Sequence, residues 1–532
     1  MKSLHFPSRR SGVLARQGMV ATSQPLAAMA GLRILMDGGN AADAAVTVAA
    51  MLNVVEPMST GIGGDCFALI YEAGTGQVSA LNGSGRAPAA FTLDQAQRRG
   101  LDAIPLTGPL PVTVPGAASG WQALLERFGT MTLPECLAPA IATAEEGFPV
   151  SERISAGWRR STEKLSGDAE ATRVYLPAPK PGEIHRQPDL ARTFRIVAQD
   201  GAQAIYRGEL AARIAGCIQS KGGYLTTGDL AAHAATWETP IRTTYRGVEV
   251  LEHPPNGQGL AALVALNIVE GYDLADWDYF EPARWHVMIE AMRMGMADAA
   301  RYVADPALVD VPLSGLLSRQ YASGRRALIQ PDRAVQIVAP GMHEHKNTVY
   351  LTAVDGQGNA VSFINSLYYG FGSGLVVPGT GICLQNRGAC FTLEDGHPNA
   401  LAGGKRPYHT IIPAMALRQG RLWLSFGVMG GFMQPQGHMQ VLLNLVDYGL
   451  DPQAALDAPR FRVDQQGGLR VAIETGVPLK TRKALAAMGH DVHPETTFAP
   501  GFGSGDIIAR DAESGVLWGA SDPRKDGCAV GF

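Results

Sequence analysis

Thr348-Val349-Tyr350-Leu351-Thr352-Ala353-Val354-Asp355 runs into Gly356-Gln357-Gly358-Asn359 and then into Ala360-Val361-Ser362-Phe363-Ile364-Asn365-Ser366. Two runs rich in β-branched and aromatic residues around a glycine-rich turn predict a hairpin. Reflection about Gln357 pairs Asp355 with Asn359 and Thr348 with Ser366. Cross-strand partners have Cβ atoms about 5 Å apart, which would set the two hydroxyls side by side. A slip of one residue would send every side chain to the opposite face. The residue before the hairpin is Asn347. If the Asn347-Thr348 bond breaks, Thr348 carries a nucleophilic hydroxyl and a free α-amine within one residue, a recognised way to activate a weak alcohol. A threonine opening a strand is ordinary by itself; its partner across the hairpin gives this one weight. Tyr369-Gly370-Phe371-Gly372-Ser373-Gly374 follows and suits close backbone approach.

The rest of the chain reads as one α/β enzyme. Residues 24 to 52 have an alanine-rich helical character, and Asp37-Gly38-Gly39-Asn40 divides them into two helices. A hairpin is expected around Gly74-Thr75-Gly76. Helical spacing recurs over 119 to 128, 134 to 146, 187 to 219, 281 to 302 and near 435 to 448, and strands are expected at 422 to 426 and 506 to 510. Residues 306 to 347 lack periodicity, as a surface linker beside a cleavage site would. Gly61-Ile62-Gly63-Gly64 has neither the dinucleotide nor the Walker spacing, so a nucleotide loop is rejected.

Composition excludes several classes. With 46% hydrophobic residues, 18% charged and a net charge of −4, the chain is expected to be a soluble globular protein without a basic footprint for nucleic acid. No apolar run is long enough for a membrane span. Met1 to Arg10 has basic residues without a following apolar core, which argues against a secretory signal and for the cytoplasm. The six cysteines show no metal-ligand spacing and are expected to be reduced.

A set of motifs then acts together. Asp37-Gly38-Gly39-Asn40-Ala41-Ala42-Asp43, Gly61-Ile62-Gly63-Gly64-Asp65, Val114-Pro115-Gly116-Ala117 and Pro254-Pro255-Asn256-Gly257-Gln258-Gly259 mark the first part. The Thr348 hairpin, Gly403-Gly404-Lys405-Arg406-Pro407, Met429-Gly430-Gly431 and Ala520-Ser521-Asp522-Pro523-Arg524 mark the second. In this order the chain resembles the γ-glutamyltranspeptidase family of N-terminal-nucleophile hydrolases from about residue 18 to its end. The resemblance implies an α/β (α+β) fold of four αββα layers, two mostly antiparallel sheets stacked between helices. It implies a self-processed precursor with a large subunit, 1-347, and a small subunit, 348-532, forming a heterodimer whose further pairing is left open. No cofactor and no metal are implied.

The same resemblance implies roles. Thr348 matches the nucleophile, exposed by its own attack on the carbonyl of Asn347. Its freed amine, with an ordinary pKa of about 7.7 to 8.0, serves as the base. Ser366 stands where the family bonds the nucleophile, and Gly430 with Gly431 matches the oxyanion-hole pair, each such donor being worth about 2.7 to 4 kcal/mol. The substrate pocket departs from the family's pattern. Tyr368 stands at an asparagine position, Cys390 at the acidic position, His409 and Thr410 at paired serines, and Arg387 at an uncharged position. Ser84 aligns with the family's arginine, while Arg86 lies two residues later. A pocket without an acidic partner for an ammonium suits an anion that lacks an amine. It resembles family members that hydrolyse oxamate to oxalate and ammonia, in the cytoplasm, during purine-ring nitrogen salvage. The expected partner is thus a small carboxylate-bearing amide, not nucleic acid or membrane. A γ-glutamyl hydrolase or transpeptidase and a cephalosporin-acylase-like amidase remain alternatives. A non-catalytic scaffold is disfavoured by the intact Thr348, Ser366 and Gly430-Gly431 set.

Overall fold

The structure, a computed structural model, describes Phe6, Arg10 to Val335, Thr348 to Asp464 and Gly467 to Phe532; the expected cleavage residue Asn347 lies outside them. The hairpin is present. Strands Val349–Asp355 and Ala360–Ser366 pair antiparallel with Val349 opposite Asn365 and Val354 opposite Ala360. That is the register given by reflection about Gln357, and Asp355 holds the turn by accepting from the N–H groups of Gln357 and Asn359, each at 3.0 Å.

Each face of this hairpin packs on a different layer. Val349, Leu351, Ala353, Val361 and Phe363 point to one cluster with the helices Pro25–Met36, Ala41–Val55 and Leu133–Glu146. Val354 and Ala360 point the other way, to a cluster with Leu251, Met415, Leu417 and Ile508 of a second sheet. Alternation of this kind places one sheet between a helical layer and another sheet. A second helical layer, including Gly259–Val269, Pro282–Tyr302 and Gln434–Val446, covers the far face of the second sheet through Val250, Ala414, Phe426 and Ile507. The four layers are αββα.

Both main sheets have seven strands, paired antiparallel throughout. The first runs in the order Cys528–Gly531, Gly18–Thr22, Val349–Asp355, Ala360–Ser366, Asp65–Glu72, Gln77–Gly83 and Thr236–Glu238. The second runs Val13–Ala15, Leu517–Ser521, Ser504–Arg510, Arg421–Met429, Ala414–Arg418, Val248–Glu252 and Ile241–Tyr245.

Local chemistry explains most boundaries. Gly38, at φ 98°, follows the first helix, and Asn40 opens the second with a capping box in which Asp43 accepts the Asn40 N–H at 2.8 Å. The expected helix over 187 to 219 is three helices, Pro188–Asp200, Gln203–Tyr206 and Gly208–Gln219, because Gly201 and Gly208 both adopt φ 75°. The linker expected from 306 is not bare either. Leu313–Leu316 and Arg319–Arg326 are helical, and Arg326 docks the second by donating from Nε to the Ile268 carbonyl at 2.9 Å. Ser318 caps that helix, so capping and docking stand in for the missing periodicity. Among the described residues no helix is long and apolar enough to cross a membrane.

Candidate active site

Thr348 lies one residue before its strand, on the side that faces the second sheet, and is buried. Its Oγ1 is 3.2 Å from the Ser366 Oγ. Ser366 accepts from the Tyr368 N–H at 2.8 Å and from the Arg387 Nη2 at 3.2 Å. Between the two hydroxyls either oxygen can be the donor. Tyr368 reaches this position with φ 79°, an uncommon conformation for a bulky residue that costs on the order of 1 to 3 kcal/mol. Its ring lies under the Arg387 guanidinium, 4.3 Å from centroid to Cζ. Arg387 also donates from Nη1 to the Thr410 Oγ1 at 2.8 Å, and its buried Nε–H has no partner among the described residues. Cys390 packs on the same group, and burial pushes its thiol pKa up. Thr348, Ser366, Tyr368, Arg387, Cys390 and Thr410 therefore form one buried cluster.

Gly430 and Gly431 enter from the end of the Arg421–Met429 strand with φ of 124° and 60°. A Cβ on Gly430 would lie 3.0 Å from the Gly503 Cα, so glycine is needed there for space as well as conformation. Neither N–H has an acceptor among the described residues. Gln258, from the motif at 254 to 259, ties this turn to the cluster. Its Nε2 donates to the Gly431 carbonyl at 2.9 Å and the Thr410 carbonyl at 2.6 Å, while its Oε1 accepts from Tyr408 at 3.0 Å. Gly430 and Thr348 share the wall of a cavity of about 150 Å³.

Several residues with no role assigned from sequence complete the site. Lys525 donates to the Thr348 carbonyl at 3.2 Å and pairs with Glu56, which accepts from Ser23 at 2.7 Å and Ser59 at 2.9 Å. Asp65 is fully buried and accepts from Gln385 Nε2 at 2.9 Å and from the Gly85 N–H at 3.0 Å. Burial raises its pKa to about 6 against the opposing pull of Arg387, Gln385 and Gly85. His409 faces this carboxylate through Nε2 at 3.1 Å, and its Nδ1 accepts from the Ile411 N–H at 3.3 Å. Burial and the nearby Arg387 hold the His409 pKa well below its ordinary value, so the ring is neutral. It is a spacer between Asp65 and the cluster and carries no charge for an anion. Asp65 and Lys525 each stand at or next to a quoted motif, which was their only signal in the sequence.

Arg86 is not part of the cluster. It is half-buried, its carbonyl accepts from Val114 at 3.0 Å, and its electrostatic neighbours are Arg406 and His233. Ser84 is buried and donates to the Asn82 Oδ1 at 2.7 Å. The cationic group bonded to Ser366 is Arg387, while Lys525 stands at the Thr348 carbonyl.

Among the described residues one group has metal-ligand types within reach of each other, His286, Glu290 and His490. Its carboxylate is already taken by Arg293 and by the Val335 N–H, and His286 Nε2 by the Gln330 carbonyl at 2.7 Å. These bonds tie down residues 330 to 335 and make none to the Thr348 cluster.

The arrangement sets two hydroxyls side by side, one of them bonded to a buried cation, with the Gly430 turn in the wall of the same cavity as Thr348. Those are the parts that acyl transfer from an amide requires. Known proteins point the same way. Residues 27–532 match the sequence model of the gamma-glutamyltranspeptidase family. The chain is 39% identical to a glutathione hydrolase-like proenzyme, YwrD, of Bacillus subtilis, over 98% of this chain and 99% of that one. It is 36% identical to the oxamate amidohydrolase proenzyme of Klebsiella pneumoniae, over 98% of this chain and all of that one. The crystal structure of cephalosporin acylase from Bacillus halodurans superposes with a TM-score of 0.93 at 45% identity, covering 100% of this chain and 99% of that one. The chain belongs to the gamma-glutamyltranspeptidase family and is an amide-bond hydrolase.

Proposed function

We propose that the protein cleaves itself before Thr348 and then hydrolyses a small amide that carries a carboxylate, oxamate first among them, through an ester on Thr348. The Thr348 Oγ1 attacks the amide carbon while the α-amine freed by cleavage takes its proton. The N–H groups of Gly430 and Gly431 bind the developing oxyanion, the amine or ammonia leaves, and water hydrolyses the ester. Arg387 binds the carboxylate. The observation that carries this reading is the position of Arg387: a buried guanidinium, bonded to Ser366 and Thr410, whose Nε has no partner among the described residues. Its electrostatic partner is the buried Asp65 behind it, and a substrate carboxylate would take the Nε–H that Asp65 leaves unbonded. No carboxylate in the cluster could receive an α-ammonium: Cys390 is a neutral thiol, and Asp65 already accepts from Gln385 and Gly85 behind it. A γ-glutamyl donor therefore fits poorly.

The second reading, an acylase that releases a larger amine, draws support from the likeness to the cephalosporin acylase. A panel of oxamate, glutaryl amides and a γ-glutamyl anilide, assayed for amine or ammonia release, separates the two. We expect turnover of oxamate, little of the anilide, and none by Thr348→Ala, which should also remain uncleaved on a denaturing gel. Efficient turnover of the anilide beside inert oxamate would return the site to γ-glutamyl transfer.

A further inference from the structure

The cavity that reaches Thr348 and Gly430 has cations at its rim that the chemistry above does not use. Helix Glu152–Arg159 turns Arg153, Gly157 and the capping Arg160 toward it, a spacing that puts all three on one helical face. Met58 packs against Gly157, where an added Cβ would meet the Met58 Cε at 3.1 Å. The other charges of the wall are satisfied. Lys525 pairs with Glu56, Arg524 with Glu474 and Asp522, and Asp526 takes the Ser151 hydroxyl at 2.5 Å. Arg153 reaches only the Pro523 carbonyl, at 3.4 Å, and Arg160 has neither a hydrogen bond nor an ion pair among the described residues. Both arginines are exposed.

Arg387 does not line this cavity; it bonds Ser366, on the hydroxyl side of Thr348. Thr348 thus separates two cationic groups. In acyl transfer the acid part and the amine part of an amide lie on opposite sides of the attacked carbon, so two separated cation sets fit an amide with an anion on each part. Guanidinium groups suit carboxylates because their planar N–H pairs match both oxygens. We propose that Arg153 and Arg160 form a subsite for a carboxylate on the leaving amine, so that among substituted amides the site favours N-acyl amino acids whose acyl part is itself a short acid. The proposal rests on the amidase reading, with Arg387 on the acyl side. The covalent steps are unchanged: the Thr348 Oγ–acyl bond forms, the C–N bond breaks, and the amine leaves with the proton from the α-amine.

The test compares paired substrates on the self-processed enzyme. Oxalyl, succinyl, glutaryl and γ-glutamyl groups are each joined to glycine and to methylamine, and kcat/KM is measured for every pair. The acyl group turned over tests the amidase reading; the glycine-to-methylamine ratio within that acyl group tests the subsite. We expect a ratio of about tenfold or more, the effect of one good charged contact. Arg153→Ala with Arg160→Ala should bring the ratio toward one, while Arg159→Ala, exposed on the same helix and outside the cavity, should preserve it. A ratio near one in the parent, or a ratio kept in the double variant, overturns the proposal. No turnover of any pair overturns the amidase reading with it.

Discussion

At the residue scale the site is a matter of charge around one buried arginine. Arg387 is met from behind by Asp65, whose pKa of about 6 lies above its ordinary 3.8 because burial outweighs its bonds. A carboxyl raised on folding contributes stability that is fully present below pH 3.8 and is lost as pH rises through about 6, so ionised Asp65 costs the fold something at neutral pH. In return it neutralises Arg387 when no substrate is bound. Below about pH 6 that negative charge disappears, and an anionic substrate meets a pocket one charge more positive. KM for oxamate should therefore fall between about pH 7 and pH 5, while kcat falls over the same range as the Thr348 α-amine becomes protonated. Burial and Arg387 hold the His409 pKa well below its ordinary value, which sets it apart from both limbs. Asp65→Asn should abolish the KM inflection and leave the kcat limb in place. A KM that rises on acidification in the parent enzyme would contradict this role. Arg387→Lys tests the cation itself: one ammonium nitrogen lacks the planar fork whose two terminal nitrogens bond Thr410 and Ser366, so kcat/KM should drop about a hundredfold or more.

At the level of elements, the same hydroxyl pair depends on how closely backbones approach. Gly64 lies against the end of the Ala360–Ser366 strand, and a Cβ there would collide with the Ser366 carbonyl oxygen. That oxygen belongs to backbone and cannot swing aside. Gly64→Ala should cost about 1 to 3 kcal/mol of stability by overpacking and should also shift Ser366 relative to Thr348. The expected result is slow or absent cleavage on a denaturing gel in protein that still melts cooperatively; cleavage at the parent rate would mean that the Gly64 contact does not set the Ser366 position. The hairpin register was legible because the turn has its own chemistry, with Asp355 accepting from Gln357 and Asn359, and because a slip would exchange its two faces. The strands Ala414–Arg418 and Val248–Glu252 were not legible. Ala414 to Leu417 and Val250 to Glu252 are all buried, so neither strand alternates polar and apolar residues. Asp65 and Glu56 escaped for a related reason. A buried carboxylate is defined by neighbours distant in sequence, such as Gln385 and Lys525, and no local pattern announces them.

Over the whole molecule, the two expected fragments cannot be separate domains. In the first sheet, Gly18–Thr22 of the first fragment lies between Cys528–Gly531 and Val349–Asp355 of the second. Ala360–Ser366 of the second pairs with Asp65–Glu72 of the first. The second sheet is shared as well, with Val13–Ala15 on Leu517–Ser521 and Val248–Glu252 on Ala414–Arg418. Five strand junctions thus cross from one fragment to the other within two continuous sheets. Each fragment alone would expose several unpaired strand edges and one face of every sheet, a state prone to aggregate. Cleavage before Thr348 should leave a complex whose two chains co-elute on size exclusion and part only in denaturant, in one cooperative transition. Expressed alone, residues 1–347 and 348–532 should each be insoluble or unfolded, whereas co-expression should restore some activity because the strand order needs no covalent link at that bond. Independent cooperative melting of either isolated fragment would show that its share of the sheets is self-sufficient, and would overturn the view that the nucleophile is held in place by strands from both sides of the cut.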